Sequence, residues 1–209
     1  MSNKIEVIRK KQHKTSEWSG GTTTEIYIYP KGSIYNERNF KWRLSSAKVE
    51  MEKSTFTALE GISRHIMIIK GELMLEHEGH YNARLKAFEQ DSFCGEWVTT
   101  SFGKVTDFNL MMAQGCKGKL EAISVRAFED KDILLHNNIN KGEEFSLITE
   151  AFYIVNGNAD IEKVTKEKIN LVEGDLILVT RAEKESNSEF KIHSNSEEES
   201  NIIRATIFY

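Results

Sequence analysis

The run Ile66-Met67-Ile68-Ile69-Lys70-Gly71 has a counterpart 86 residues later, Phe152-Tyr153-Ile154-Val155-Asn156-Gly157. A short apolar, β-branched run closed by glycine marks a buried strand turning into a hairpin. Leu73-Met74-Leu75 supplies the return strand in the first copy. A second spacing repeats too: Leu85, Phe88 and Asp91 fall three and three apart, as do Ile169, Val172 and Asp175. The interval from glycine to triplet is two residues shorter in the second copy, which reads as a deletion at a turn. Matched elements in the same order predict a duplicated unit.

The rest of the chain fits that unit. Residues 4–8, 24–29, 81–88, 96–100, 105–112, 174–179 and 202–208 read as strands, only one proline occurs, and no long amphipathic helix is visible. Residues 40–51 alternate with a flaw: Phe40, Trp42 and Leu44 share one phase, Ala47, Val49 and Met51 the other. A change of phase at Ser45-Ser46 predicts a β-bulge or a strand passing between sheets. Residues 182–200 are polar and acidic around Phe190-Lys191-Ile192 and read as a loose surface hairpin. The expected architecture is all-β: two double-stranded β-helix barrels, residues 1–115 and 116–209, with strands open to exchange between the halves.

Composition narrows the function. With 39% hydrophobic and 29% charged residues and a net charge of -4, the chain is an ordinary globular one and a poor general nucleic-acid binder. No run approaches the ~18 apolar residues of a membrane span. The charged N-terminus has no apolar stretch behind it, so the expected compartment is the cytoplasm. Cys94 and Cys116 lack metal-type spacing and fit a reducing environment.

Five motifs resemble the HutD/Ves family, in order. They are Trp18-Ser19-Gly20-Gly21-Thr22-Thr23-Thr24-Glu25, Phe40-Lys41-Trp42-Arg43-Leu44-Ser45-Ser46-Ala47, Gly61-Ile62-Ser63-Arg64, Phe93-Cys94-Gly95 and Asp107-Phe108-Asn109-Leu110-Met111. Ser63 and Cys94 depart from the family's frequent Asp and Pro. The resemblance implies a bicupin, and a regulator of histidine utilisation or of stress response that takes a small carboxylate.

Metal-dependent cupins place a glutamate ligand seven residues before the hairpin glycine, with a His-x-His pair upstream. Here that position before Gly71 is Arg64, and residues 57–60 contain no histidine. Seven before Gly157 stands Glu150, again without a histidine pair. His77 and His80 share an expected turn, and His193 has no partner in view. Neither a metal nor another cofactor is therefore expected.

Arg64 at that position changes metal capture into anion capture, because a guanidinium binds a carboxylate through two parallel hydrogen bonds. The rival readings are a salt bridge to Glu60 or Glu72, or a solvated strand end. Supporting ligand-binding candidates are Trp42 (which also reads as core), Arg43, Ser45, Ser46, Thr24, Glu25, Asp107 and Asn109. Arg43 and Ser45 share one strand face and Trp42 and Ser46 the other, so one set faces a given cavity. Asp107 and Asn109 share a face too, open to either barrel lining or surface. The expected partner is a small organic anion, with no nucleic acid and no membrane. Two alternatives stand: an enzyme, either a metal-free isomerase or lyase using Asp107 or Glu25 as base or a metal-dependent one with an unusual ligand set, and an interaction module, including a homodimer.

Overall fold

A computed structural model describes residues 4–135, 145–163, 167–182 and 189–209. The strands run β1 (Lys4–Ile8), β2 (Lys14–Trp18), β3 (Gly21–Tyr29), β4 (Trp42–Val49), β5 (Lys53–Thr55), β6 (Ile62–Lys70), β7 (Leu73–His77), β8 (Asn82–Leu85), β9 (Gln90–Cys94), β10 (Thr99–Phe102) and β11 (Val105–Ala113). They continue with β12 (Lys117–Val125), β13 (Asp130–Leu134), β14 (Leu147–Asn156), β15 (Asn158–Lys163), β16 (Lys168–Val172), β17 (Leu176–Ala182), β18 (Glu189–Ser194) and β19 (Ser200–Phe208).

Two compact units result. His13–Cys116 forms one, with a sheet in the order β2-β3-β4-β11-β6-β9 and another in the order β5-β10-β7-β8. Lys117–Tyr209 forms the other together with β1, in sheets ordered β1-β17-β14-β19-β12 and β13-β18-β15-β16. The opening strand thus lies outside the unit that a simple division at residue 115 gives it: β1 pairs along β17 from Lys4↔Thr180 to Ile8↔Leu176. Arg9 Nη1 and the Lys10 backbone N–H both donate to Asp175, at 2.7 and 3.0 Å.

Each unit closes on its own core. Ile66, Ile68, Leu73, Leu75 and Phe93 pack together in the first, and Phe152, Ile154, Leu171, Phe190 and Ile192 in the second. Fully burying such a side chain is worth ~1.5–3 kcal/mol, so these rows hold the facing sheets together.

The duplication is visible at atomic level. Ile68 donates to Glu89 O at 3.0 Å and accepts from Phe88 N–H at 2.6 Å; Ile154 does the same with Asp175 and Gly174 at 3.0 and 2.8 Å. Phe88 and Gly174 both have positive φ, 64° and 85°. The carboxylates of Glu89 and Asp175 each accept from the backbone three residues earlier. These pairs keep the offset of 86. The sequence triplet was therefore matched two residues out of register, and the turn deletion it implied is absent between these points. Phe88 misleads because an aromatic residue occupies the left-handed position that glycine holds in the second copy.

Two further expectations change. β4 pairs with β11 continuously from Trp42↔Met112 to Val49↔Val105, so the phase change in 40–51 is not a bulge in this ladder. The register shift lies in β3 instead, between Glu25 and Tyr27. Both faces of β4 carry buried residues: Trp42 and Leu44 on one, Arg43, Ser45 and Val49 on the other. Nor is the 182–200 stretch wholly a loose hairpin, since β18 lies between β13 and β15 with Phe190 and Ile192 buried. Residues 183–188 of that stretch, and His136, lie outside the described residues.

Candidate functional site

Strands β4, β11 and β6 pair side by side, with Arg43 opposite Met111 and Met111 opposite Arg64. Alternation then puts Arg43, Ser45 and Ala47 on the same face as Asp107, Asn109 and Arg64. All six line a cavity of about 390 Å³ in the N-terminal unit, with Trp18, Tyr35 and Phe56 among its other walls.

A hydrogen-bonded chain crosses this lining. Arg64 Nη2 donates to Asn109 Oδ1 at 2.9 Å, and Asn109 Nδ2 donates to Asp107 Oδ1 at 2.6 Å. The same carboxylate oxygen accepts the Ala47 backbone N–H at 3.1 Å. The Arg64 guanidinium carbon lies 4.6 Å from the Phe56 ring centre and 5.2 Å from that of Phe93. Aromatic faces stabilise a buried cation without neutralising it. Arg64 is only 7% exposed, and its Nε has no hydrogen-bond partner among the described residues.

Arg43 has a different environment. Its Nε donates to Glu25 Oε2 at 2.8 Å and its Nη1 to Ser45 Oγ at 3.0 Å, while its guanidinium lies over Tyr35. One cation is thus held by a carboxylate and the other is not. Among the described residues, no carboxylate lies within ion-pair distance of Arg64; the Glu72 proposed for it pairs with Arg84 at 2.9 Å. Burial draws the Arg64 pKa down, with Tyr35 and Asp107 opposing, but a guanidinium stays charged at any ordinary pH. Burial also pushes Asp107 up to about 6, while the Ala47 N–H, the Arg64 charge and the Asn109 amide pull it back.

Three expected ligand contacts lie elsewhere. Trp42 is core, stacked on Tyr27 and Tyr29 at 5.3 and 5.4 Å. Ser46 takes the opposite face from Ser45 and donates to the Asp107 backbone carbonyl at 2.6 Å. Thr24 bonds Thr15 at 2.9 Å, and its neighbour Thr23 lines the cavity instead. Glu25 reaches the site through Arg43.

Trp18, Tyr35, Phe56 and Met111 are lining residues that sequence reasoning passed over as site candidates. A signal for Trp18 was present in the double glycine behind it. A Cβ on Gly20 would stand 2.0 Å from the Trp18 ring, and one on Gly21, at φ 146°, would meet the Lys48 carbonyl oxygen at 1.9 Å. The glycines let β3 run close beside β4 and let the indole fold back over position 20.

The equivalent position in the C-terminal unit is filled from within. Glu150 is fully buried and receives Arg204 Nε at 2.8 Å, Arg204 Nη2 at 3.1 Å and Thr206 Oγ1 at 2.9 Å. Arg204 occupies the place of Asn109, since Phe152↔Arg204 matches Ile66↔Asn109 in register. A side-chain carboxylate and a guanidinium neutralise one another here.

His77 and His193 have structural partners. His77 is buried between Thr99 and Asp91, at 2.8 and 2.9 Å, and His193 meets Asp130 at 2.7 Å. Among the described residues, no three His, Cys, Asp or Glu side chains are grouped to hold a metal ion. Nor is any helix there long and apolar enough to cross a membrane.

Fold and site together define a bicupin whose first barrel carries a polar cavity headed by a buried arginine. The HutD family model matches residues 10–199, and the chain belongs to the HutD family. Among solved structures it resembles a conserved protein of unknown function from Pseudomonas aeruginosa PAO1, at 20% identity and TM-score 0.78, with 98% of each chain covered. HutD from Pseudomonas fluorescens SBW25 matches at 20% identity and TM-score 0.66, over 97% of this chain and 98% of that one. Bacillus subtilis oxalate decarboxylase shares the fold at 8% identity and TM-score 0.66, covering 100% of this chain and 77% of its own.

Proposed function

We propose that the N-terminal barrel binds a small organic anion, a carboxylate, through Arg64. On this reading the protein acts as a cytoplasmic regulator of histidine utilisation or stress response rather than as an enzyme. The observation that carries the reading is the state of Arg64. It is a buried cation lining a cavity, flanked by aromatic rings, with no carboxylate partner among the described residues. A buried charge is costly unless paired, and a ligand carboxylate supplies the missing pair. The C-terminal barrel supports this by analogy, since there Arg204 is paired by the protein's own Glu150. The family name adds the link to histidine catabolism.

The test is a thermal-shift screen followed by calorimetry, using urocanate, formylated and formimino glutamate, and simple carboxylates. Wild type is expected to bind at least one acid, and Arg64→Ala to lose about 3 kcal/mol, roughly 100-fold, for two charge-assisted hydrogen bonds. Equal binding by the two proteins removes Arg64 from the site.

One observation favours a second reading. Asp107, in the same cavity with its pKa pushed up to about 6, has the character of a general base poised near neutrality. A metal-free isomerase or lyase would use it so, and conversion of a bound acid monitored by NMR separates this reading from binding alone.

A further inference from the structure

We propose that Asp107 is the specificity-determining residue of this cavity, selecting small acids that carry a hydrogen-bond donor as well as a carboxylate. The donor is a hydroxyl, amino, amide or ring N–H group. The inference rests on the reading of Arg64 as the carboxylate-binding group, and names the class of acid it takes.

The count of charges carries it. Two guanidiniums, Arg43 and Arg64, are matched in number by two carboxyl groups, Glu25 and Asp107. Glu25 is engaged by Arg43 at 2.8 Å. Asp107 stands off from Arg64, with the Asn109 amide between them, accepting from one at 2.9 Å and donating to the other at 2.6 Å. A plain carboxylate bound at Arg64 adds a third negative charge to a balanced, largely desolvated space. An acid that turns a donor toward Asp107 relieves this conflict, because an ionised carboxylate is acceptor-only.

Asp107 has the capacity to accept. Its Oδ1 takes the Ala47 N–H and the Asn109 amide, whereas its Oδ2 accepts from no described residue, and the side chain lines the cavity. Burial makes this carboxyl expensive to ionise. The C-terminal barrel omits it: Asp107, opposite Ile68, corresponds in register to Ile202, opposite Ile154. Where Arg204 is neutralised by the protein's own Glu150, the position is apolar. Where Arg64 awaits an outside anion, the position carries an acceptor.

The test uses calorimetry at pH 7.5 with matched acids: propionate against 3-hydroxypropionate and β-alanine, and phenylacetate against imidazole-4-acetate. Wild type is expected to bind the donor-bearing member of a matched set about tenfold or more tightly. Asp107→Asn places an amide N–H where Oδ2 stood, so it is expected to cut that preference to less than about threefold while tightening binding of the plain acid. A wild type without preference, or a variant that keeps it, overturns the inference and leaves the anion reading intact. Failure of every acid to bind wild type overturns both.

Discussion

Asp107→Asn is expected to stabilise the protein. The carboxyl is 3% exposed, and its pKa rises from the ordinary 3.8 to about 6 on folding, chiefly through burial. A group whose folded pKa lies above its unfolded value stabilises the fold when protonated, and that contribution is lost as pH rises through the folded pKa. The folded protein therefore gives up roughly 3 kcal/mol between pH 4 and 7, from about two pKa units at 1.36 kcal/mol each. Asparagine has no charge to desolvate. Its carbonyl oxygen still receives the Ala47 N–H and the Asn109 amide that Asp107 Oδ1 receives now. For a chain of this size each kcal/mol moves Tm by roughly 2–4 °C, so the variant gains roughly 6–12 °C at full effect. Thermal and urea melts of both proteins from pH 4 to 8 provide the assay. The gain should be near zero at pH 4 and reach a plateau above pH 7. A variant less stable at pH 7.5, or an offset constant with pH, would rule out burial as the origin of the shift. A carboxylate retained at this cost fits a residue kept for binding rather than for stability.

Other consequences follow from the same contacts. Glu150→Ala strips buried Arg204 of its closest carboxylate, leaving it the Leu134 carbonyl and the more distant Glu121 at 3.4 Å, and is expected to cost about 3 kcal/mol in urea denaturation. Gly20→Ala drives the Trp18 ring from its place, so tryptophan fluorescence should change and acid binding weaken with little loss of stability. His77→Ala removes a buried ring that bonds Thr99 and Asp91 and packs on Phe93 at 4.6 Å, costing about 2–4 kcal/mol by the same melts.

Much of the fold was legible because period-2 patterns and hairpin glycines are local features. The repeat of Ile66 to Gly71 in Phe152 to Gly157 led to two barrels, and the cupin position of Arg64 followed by counting. Errors arose where burial is two-sided. In β4 the shift of apolar phase at Ser45-Ser46 looked like a bulge, yet it records where the barrel interior changes from polar Arg43 and Ser45 to Ala47 and Val49. That change of phase was itself the trace of the site. Trp42, which reads as either core or cavity wall along the chain, is core, since its face is packed by Tyr27 and Tyr29. The walls from Trp18, Tyr35 and Phe56 depend on contacts between distant segments, which spacing along a chain does not encode. The balance of Glu25 with Arg43 and the isolation of Arg64 likewise emerge only from three-dimensional pairing.

Anion binding at Arg64 is tested most directly by a crystal structure grown with the tightest-binding acid from the screen. Its carboxylate is expected within hydrogen-bond distance of the Arg64 guanidinium, inside the cavity walled by Trp18 and Phe56. An acid bound at another surface, with the Arg64 cavity holding only water, would contradict anion binding there.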